Sequence, residues 1–348
     1  MRILLTGGAG FIGSNFVRHV LGNEPHAHLV NLDALTYAGT LDNLGDLPNP
    51  VNYVFVEGSI TDRPLVERLL VDHSIDTIVH FAAESHVDRS IHGPGVFIDT
   101  NIRGTFELLE AARATWKSFE GKRFHHVSTD EVFGSLEPGD PAFTETTAYS
   151  PSSPYSASKA SSDHLVRAYG HTYGMPYTIS NCSNNYGPYQ FPEKLIPLMI
   201  VNCLEGKPLP IYGDGKQVRD WLYVLDHCDA ILSIIKTGKP GETYNVGGNN
   251  QPTNIEIVEQ LCAILDELVP KPEPYANLKT FVKDRPGHDR RYAMNIDKIS
   301  RELGWRPQHD LARGLRTTVE WYLGNASWMS AVRGRTYQDW MERNYKDR

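Results

Sequence analysis

The stretch Thr6-Gly7-Gly8-Ala9-Gly10-Phe11-Ile12-Gly13 decides the fold class of this chain. It follows an apolar run over residues 2–6 that is typical of a short buried strand, and helical periodicity over residues 14–22 comes next. Glycines here allow a tight turn and let the backbone approach a pyrophosphate, whose charge meets the helix N-terminus. A glycine triplet alone also fits a surface turn, but its position between strand and helix favours a dinucleotide site.

An acidic residue follows at the distance that a dinucleotide site requires. The predicted second strand, residues 28–32, ends at Asp33, which lies 20 residues after Gly13 (33 − 13). A carboxylate there can accept a hydrogen bond from a ribose 2′-OH and would repel a 2′-phosphate, so NAD is favoured over NADP. The alternative is a helix-capping or turn Asp.

Strands alternate with helices over about 180 residues, which predicts an α/β fold with a Rossmann-type, doubly wound parallel sheet. Further predicted strands cover residues 52–57, 77–81, 124–127 and 177–181. Predicted helices cover about 63–73, with Asp62 as N-cap, and about 102–117. Sites in such sheets lie at the carboxyl ends of strands, which is where the motifs of this chain fall.

Prolines and loops become more frequent after Gly187, which predicts a smaller, discontinuous C-terminal substrate domain. We expect residues 1–187 plus about 224–250 to form the NAD-binding domain, and about 188–223 plus 251–348 to form the second domain. The helices predicted in this half are residues 194–205, 225–236, 255–268, 296–303 and 311–323, and the strands are 210–212, 218–224 and 243–246.

The composition excludes several classes of protein. The net charge of −8 argues against a general nucleic-acid or membrane-surface binder, and no apolar run is long enough to span a bilayer. The four cysteines lie far apart, so we expect neither a zinc site nor a disulfide framework. The N-terminus becomes glycine-rich too soon for a signal peptide, and a reducing cytoplasm is expected.

A Tyr/Lys pair follows the predicted fifth strand. Tyr155 and Lys159 stand four residues apart on a predicted helix, so their side chains share one face. A lysine charge stabilises phenolate and lowers the tyrosine pKa, so Tyr155 is predicted to accept an alcohol proton while hydride leaves to the nicotinamide. Two surface residues on an amphipathic helix are the alternative. Ser128 or Thr129 would orient the same substrate oxygen.

The adjacent carboxylates Asp130 and Glu131 distinguish this sequence from that of a plain alcohol dehydrogenase. Two neighbouring carboxyl groups can have pKa values that are pushed apart, which supplies an acid and a base for eliminating water next to a carbonyl. From spacing alone, a turn cap and a solvent-facing carboxylate fit equally well.

These motifs together resemble the extended short-chain dehydrogenase/reductase family, and within it the nucleotide-sugar 4,6-dehydratases. The resemblance covers the chain to about residue 325. The stretches that carry it are the glycine motif, the Tyr/Lys pair, Asn31 to Gly39, Ala82 to Ser90, Ser128 to Gly134, Asn181 to Leu195 and Asp284 to His288.

The resemblance implies a role for each matching residue. The implied catalytic residues are Thr129, Asp130 as acid, Glu131 as base, Tyr155 and Lys159. The implied NAD-binding residues are Gly7, Gly10, Phe11, Ile12, Gly13, Asp33, Ala34, Leu35, Thr36, Ser59, Ile60, Phe81, Ala82, Ala83, Ser85, Thr100, Tyr155, Lys159 and Asn185. The implied nucleotide-sugar-binding residues are Ser85, Thr129, Asn184, Lys194, Leu195, Pro210, Ile211, Tyr212, Arg219, Asn254, Asp284, Arg285 and His288.

The sequence departs from the family pattern at two positions. Ser59 stands where an Asp is usual, next to Ile60 on the adenine side. Phe133 replaces a usual Tyr, and we expect Val132 and Phe133 to pack inward. The segment after about Ser327 has no counterpart that we can assign.

The implied reaction is NAD-dependent dehydration of dTDP-glucose to dTDP-4-dehydro-6-deoxyglucose and water, without a metal. It proceeds by C4 oxidation, elimination across C5 and C6, and hydride return to C6. The alternatives are the same reaction on UDP- or CDP-glucose, a nucleotide-sugar 4-epimerase, which needs no acid–base pair, and a non-catalytic NAD-binding regulator.

Subunit association is expected from the outer faces of two helices. The helices after Asn101 and around Tyr155 carry small and apolar positions that we expect to face outward, namely Ala157, Ala160, Leu165 and Ala168. The resemblance implies that such helices pair across a two-fold axis into the four-helix bundle of a homodimer. Ordinary packing of helices on the sheet is the alternative.

Overall fold

The structure is a computed structural model that describes residues 1–334, 337, 339, 340, 342 and 344. Its strands are β1 Arg2–Thr6, β2 His28–Asp33, β3 Tyr53–Glu57, β4 Thr77–His80, β5 Arg123–Thr129, β6 Tyr177–Cys182, β7 Asn184–Tyr186, β8 Leu209–Tyr212, β9 Trp221–Tyr223, β10 Glu242–Val246 and β11 Lys279–Val282. Its helices are α1 Phe11–Asn23, α2 Arg63–Asp72, α3 Val87–His92, α4 Gly95–Phe97, α5 Gly104–Thr115, α6 Pro154–Tyr173, α7 Leu195–Glu205, α8 Val224–Thr237, α9 Asn254–Leu268, α10 Asp297–Leu303, α11 Leu311–Gly324 and α12 Ala326–Val332.

A seven-stranded parallel sheet forms the centre of the molecule, in the order β10-β6-β5-β4-β1-β2-β3. The chain reverses its direction of winding between β1 and β4, as in a doubly wound sheet. The predicted Rossmann-type α/β fold is therefore confirmed. The strand order brings the carboxyl ends of β1, β4, β5 and β6 side by side, where the glycine turn and the Tyr/Lys helix begin.

Alternation along the strands creates two apolar layers. On β1, Ile3 and Leu5 pack with α1 and α8, whereas Leu4 faces the opposite layer with α2, α5 and α6. All three side chains are fully buried. Removing the apolar surface of each such side chain from water adds ~1.5–3 kcal/mol to the free energy of unfolding. Helices on both faces explain why the central strands are apolar almost throughout.

A second core lies beyond β6, where α7, α9 and α11 pack together around Ile200, Leu261 and Val319. Two small parallel sheets, β8 with β11 and β7 with β9, connect this region to the central sheet. The predicted domain boundaries stay a prediction, and residues 335, 336, 338, 341, 343 and 345–348 of the predicted second domain lie outside the described residues.

The helix predicted over about 102–117 begins earlier. α3 was not predicted, and α4 continues through a π-helical turn, Ile98–Arg103, into α5. The Asn101 side-chain amide accepts from Glu84 N at 2.9 Å and donates to Glu84 O at 3.0 Å, so it joins the π turn to the loop after β4.

Three other expectations are corrected. The strand predicted over 218–224 is restricted to Trp221–Tyr223, because Val218 forms isolated bridges with Thr253 and Arg291. Ala160 faces inward and packs with Phe133, and Leu165 packs against the core under α5 rather than facing outward. Val132 and Phe133 do pack inward, as expected.

The described part of the segment after Ser327 folds back on the molecule. Trp328 packs against Tyr189 and Trp321, and Trp340 covers the guanidinium of Arg89 at 4.3 Å. Across the described residues, no helix has both the length and the apolar character to cross a membrane.

Candidate active site

The glycine turn after β1 forms a close-packed cradle. Gly7 has φ +77°, and a Cβ on Gly13 would lie 2.2 Å from the Gly7 carbonyl oxygen. Only glycine fits at these two positions, because a side chain would need backbone to move. The first turn of α1 therefore points free N–H groups into the cavity beside β1, as binding of a pyrophosphate requires.

Asp33 lies at the end of β2 against this turn. Its Oδ2 accepts from Ala9 N and its Oδ1 from Leu35 N, each at 2.8 Å. These two bonds orient the carboxylate and leave a lone pair on each oxygen for a ribose hydroxyl. Burial raises the pKa of Asp33, and the two backbone donors oppose that shift.

The first cavity runs along the carboxyl ends of the central strands. The predicted NAD-binding residues that line it are Gly7, Gly10, Phe11, Ile12, Gly13, Asp33, Ala34, Thr36, Ser59, Ile60, Phe81, Ala82, Ala83, Ser85, Thr100, Tyr155, Lys159 and Asn185. Leu35 does not line it and instead supports Asp33. An elongated cavity with a glycine cradle and a ribose-facing carboxylate fits NAD.

The Tyr/Lys pair is placed by the start of α6. Ser153 and Ser156 form a capping box, and Pro154 occupies the first turn. Tyr155 and Lys159 are both buried and line the first cavity. The Lys159 ammonium donates to Val127 O at 2.8 Å, which ties α6 to β5.

The prediction that the Tyr155 pKa is lowered is wrong as far as the surrounding protein side chains decide it. Burial raises the pKa well above its usual value, and the negative charge of Glu131 adds to the shift. A hydrogen bond with Thr129 opposes it only in part. The Lys159 ammonium donates to Val127 O, and its charge does not outweigh burial.

Thr129 ends β5, and Asp130 and Glu131 follow it in a tight 3₁₀ turn, Asp130–Phe133. The Thr129 hydroxyl accepts from Glu131 N and donates to Asp130 Oδ1, both at 3.3 Å. Asp130 is 2% exposed, and its Oδ2 has no hydrogen-bond partner among the described residues. A buried, unsatisfied carboxyl oxygen beside a cavity is placed to donate a proton to a ligand if the acid is protonated.

The two carboxyl groups have different electrostatic surroundings. Burial raises the pKa of Asp130 well above its usual value, and Glu131 and Asp220 add repulsion. Burial also raises the pKa of Glu131, but Arg285, Lys194 and Arg219 oppose the shift. Both surroundings raise the carboxyl pKa, and they favour the protonated form more strongly at Asp130 than at Glu131.

Of the two candidates to orient a substrate oxygen, Ser128 and Thr129, the structure favours Thr129. Ser128 also lines the first cavity, but its hydroxyl donates to Asp163 Oδ2 at 2.8 Å. Thr129, the next residue, faces the opposite side of β5 and contacts the site, as expected from strand alternation.

The second cavity meets the first at Glu131, which lines both. The predicted substrate residues that line the second cavity are Asn184, Lys194, Leu195, Pro210, Ile211, Tyr212, Arg219, Asn254, Arg285 and His288. Ser85 and Thr129 line the first cavity instead. Asp284 lines neither, and its carboxylate holds the His288 imidazole at 2.6 Å and Gln217 at 2.9 Å.

Cations converge on the second cavity. Arg219 donates to the carbonyls of Val218 and Asp289 and lies 4.2 Å from the Tyr292 ring, so its guanidinium is held in place. Burial and nearby arginines lower the pKa of His288 to about 4, so this imidazole is neutral and the arginines carry the positive charge. One guanidinium group can bind two phosphate oxygens at once through two parallel N–H···O hydrogen bonds.

Ion pairs join the segment after β4 to the rest of the site. Arg89 pairs with Glu193 at 3.0 Å and lies 3.8 Å from the Tyr37 ring, and Asp88 pairs with Arg285 at 3.4 Å.

Sequence reasoning missed several lining residues. Those of the first cavity include Tyr37, Glu84, Cys182, Gln190, Phe191 and Glu193, and those of the second include His86, Asp88, Leu198, Met199 and Tyr292. Glu193 directly precedes the predicted Lys194, and this adjacency is the feature of the sequence that could have identified Glu193.

The described residues contain no cluster of His, Cys, Asp or Glu suited to hold a metal ion.

The fold and the site together define a dinucleotide-binding enzyme of the extended short-chain dehydrogenase/reductase class, with an acid–base carboxyl pair beside its Tyr/Lys pair. The model of the GDP-mannose 4,6-dehydratase family matches residues 4–318. The dTDP-glucose 4,6-dehydratase of Shigella flexneri is 57% identical over all of both chains. The chain belongs to this family, among the dTDP-glucose 4,6-dehydratases.

Solved structures agree with this assignment. The dTDP-glucose 4,6-dehydratase of Streptomyces venezuelae, solved with NAD bound, is 47% identical with a TM-score of 0.88, covering 95% of this chain and 100% of that one. A UDP-glucose 4-epimerase of Thermotoga maritima shares the fold at 31% identity and a TM-score of 0.82, covering 94% of this chain and 100% of that one. The fold is thus common to dehydratases and epimerases, and the site has to distinguish them.

Proposed function

We propose that this chain converts dTDP-glucose to dTDP-4-dehydro-6-deoxyglucose and water with NAD as its cofactor, and that Tyr155, Glu131 and Asp130 divide the proton transfers. The observation that carries the assignment of roles is the position of the carboxyl pair. Glu131 lines both cavities, and Asp130 is buried beside it with an unsatisfied oxygen. An epimerase needs no such pair.

Bound NAD supplies the hydride chemistry, since it can accept hydride from C4 and return it to C6. Gly7, Gly13 and Asp33 would hold it through the α1 N-terminus and the ribose. Because the same molecule is oxidised again within the cycle, the enzyme should retain it between turnovers.

Tyr155 takes the proton of the C4 hydroxyl as the ketone forms. Its raised pKa means that the phenolate has to be stabilised, and Lys159, on the same face of α6, is the cation placed to do so. The Thr129 hydroxyl orients the C4 oxygen.

Glu131 then removes the C5 proton, which the neighbouring ketone has made acidic. Asp130 protonates the C6 hydroxyl as it leaves as water, and a proton returns to C5 when hydride is returned to C6. Both carboxyl pKa values are raised, but that of Asp130 well above its usual value, whereas three cations oppose the rise at Glu131. This difference suits Asp130 to the role of acid and Glu131 to that of base.

The second cavity would bind the diphosphate and the nucleoside. Arg219, Arg285 and Lys194 supply positive charge there, and Tyr212 and Asn254 also line it. With the diphosphate bound there, the sugar would extend toward Glu131, which lines both cavities.

Turnover measured side by side with dTDP-, UDP- and CDP-glucose tests the substrate assignment. We expect dTDP-glucose to have the highest kcat/KM and the product to have lost its C6 oxygen. A galactose product that retains the C6 oxygen would instead identify a 4-epimerase, and no conversion of any of the three would identify a non-catalytic NAD-binding protein.

We further propose a cytoplasmic homodimer that pairs α5 and α6 of each subunit in a four-helix bundle. The apolar side chains Val96, Ile98 and Phe106 are 36–49% exposed on the helical segment that contains α5, and Ala157 and Ala168 are exposed on α6. Sedimentation of the wild type and of Phe106→Glu tests this: a dimer that the substitution dissociates is expected, and a wild-type monomer contradicts it.

A further inference from the structure

Asp163 lies behind the active site and has no role in the reaction steps above. It follows Lys159 by four residues on α6, so Tyr155, Lys159 and Asp163 share one face of the helix. Its side chain is fully buried. A buried carboxylate is costly unless charge and hydrogen bonds compensate it, so its partners indicate its purpose.

Two hydroxyl groups and an imidazole surround the Asp163 carboxylate. Ser128 Oγ and Tyr149 OH each donate to Oδ2 at 2.8 Å. His126 Nε2 approaches Oδ1 to 3.2 Å, but neither Asp163 Oδ1 nor His126 Nδ1 has a hydrogen-bond partner in the described part of the chain. The carboxylate is therefore held through Oδ2, with the imidazole close to its other oxygen.

The same imidazole lies against Lys159. The ammonium Nζ is 3.5 Å from His126 Nε2 and 2.8 Å from Val127 O. The His126 ring therefore connects the buried ammonium with the buried carboxylate. Burial lowers the pKa of Lys159, and the negative charge of Asp163 opposes that shift.

Asp163 is itself ionised. Burial raises its pKa, but the nearby His126 imidazole, the charge of Lys159 and the Tyr149 hydroxyl outweigh burial and leave the pKa lowered. The carboxylate is thus a fixed negative charge that partly compensates the desolvation of Lys159.

The other titratable groups around Lys159 and Asp163 supply little charge. Burial lowers the pKa of His80 well below its usual value and that of His126 to about 4, and it raises that of Cys182 to about 12. These three groups are therefore neutral near neutral pH. Arg167, from the next turn of α6, donates to Tyr149 OH at 3.0 Å, on the side of Asp163 away from Lys159.

We propose that Asp163 is a positioning residue that keeps Lys159 protonated and, through Ser128 and His126, holds α6 at a fixed distance from the end of β5. Tyr155 lies on α6, and Asp130 and Glu131 directly follow β5, so this link sets the spacing between the proton acceptor for C4 and the pair that acts on C5 and C6. The inference rests on the proposed roles of Tyr155 and Lys159.

The first test is Asp163→Asn, which preserves shape and removes the charge. We expect the rate of nicotinamide reduction after mixing with dTDP-glucose, followed by absorbance, to fall ~10-fold or more, since a shift of one pKa unit changes a protonation equilibrium tenfold. The alkaline limb of the pH–rate profile should move to lower pH, because Lys159 loses its proton more easily without the carboxylate. NAD content and KM should change little.

Tyr149→Phe is the matched control. It removes one hydrogen bond from the same carboxylate but leaves the charge, so the alkaline limb should stay at its wild-type position even if the melting temperature falls. In a Lys159→Met background, Asp163→Asn should cause no further loss of rate, because residues that act through one another are not additive.

Two results would overturn the inference. One is an Asp163→Asn variant with the wild-type rate and alkaline limb. The other is a fall in rate that is the same at every pH and accompanies a lower NAD content and a lower melting temperature. That result would indicate a purely structural residue. Failure of the wild type to convert dTDP-glucose would instead contradict the proposed function, so the two failures are distinguishable.

Discussion

The carboxyl groups of Asp130 and Glu131 are adjacent in the chain but have different surroundings. Asp130 is buried, receives a hydrogen bond only from Thr129 among the described residues, and has the repulsive charge of Asp220 nearby. Glu131 lies at the junction of the two cavities and is near three cations. This difference is the reason why we propose Asp130 as the acid and Glu131 as the base.

Asp130→Asn should block loss of the C6 hydroxyl, because an amide cannot supply the proton. We expect kcat to fall ~100- to 10,000-fold, the typical contribution of a general acid. Reduced nicotinamide should accumulate after mixing with dTDP-glucose, which absorbance would show. Formation of product at the wild-type rate would exclude Asp130 as the acid.

Glu131→Gln should stop the reaction at a different step. In deuterated water, Asp130→Asn should still exchange the C5 proton with solvent, whereas Glu131→Gln should not, because only Glu131 removes that proton. Mass spectrometry of the recovered sugar measures the exchange. Wild-type exchange in the Gln variant would assign the base to another group.

Gly10 and Gly13 should respond differently to alanine. A Cβ on Gly13 would lie 2.2 Å from Gly7 O, so Gly13→Ala should lower the free energy of unfolding by ~1–3 kcal/mol through overpacking. A Cβ on Gly10 would have its nearest protein atom at 3.4 Å, yet Gly10 lines the first cavity. Gly10→Ala should therefore fold normally but lose NAD. Denaturation curves and the NAD content of purified protein test both, and full NAD retention by Gly10→Ala would contradict the placement of the pyrophosphate.

Asp220 should make stability depend on pH. Burial raises its pKa from 3.8 to about 7, although Gly248 N donates to Oδ1 at 2.7 Å. Because the folded pKa is the higher one, its favourable contribution is complete below the unfolded pKa and is lost as the pH rises through about 7. Asp220→Asn should flatten this decline in the free energy of unfolding, which chemical denaturation across that range would measure. An unchanged slope would show that Asp220 does not titrate in this range.

Trp340 should matter for substrate binding although it lies far along the chain from the motifs. Its ring lies 4.3 Å from the guanidinium of Arg89, which pairs with Glu193 in the wall of both cavities. Cation–π contacts are worth ~0.5–2 kcal/mol, so Trp340→Ala should raise KM for dTDP-glucose ~2- to 30-fold with a smaller change in kcat. Trp340→Phe keeps an aromatic face and should lose less. An unchanged KM in the Ala variant would show that this contact does not support the site.

The features that local sequence determines could be predicted. The glycine turn, Asp33 and the Tyr155/Lys159 spacing each follow from one strand end or one helix face, and the parallel sheet follows from the alternation of elements. The π turn at Ile98–Arg103 could not be predicted, because the Asn101 bonds to Glu84 that hold it are tertiary contacts.

The predictions that failed depended on side-chain direction across elements. Ser128 was one of two candidates to orient the substrate oxygen, with Thr129, but its hydroxyl donates to Asp163 on α6. Leu35 and Asp284 were expected to touch ligands, but each supports a neighbour that lines a cavity. Ala160 was expected to face outward, yet the turn after β5 packs Phe133 beside it.

The fate of the hydrogen on C4 tests the central claim most directly. With dTDP-glucose deuterated at C4, the account predicts that mass spectrometry and NMR will find the deuterium at C6 of the 4-dehydro-6-deoxy product, because hydride leaves C4 and returns to C6 in one active site. Deuterium that remains at C4 of a product with its C6 oxygen intact would contradict the account and identify an epimerase.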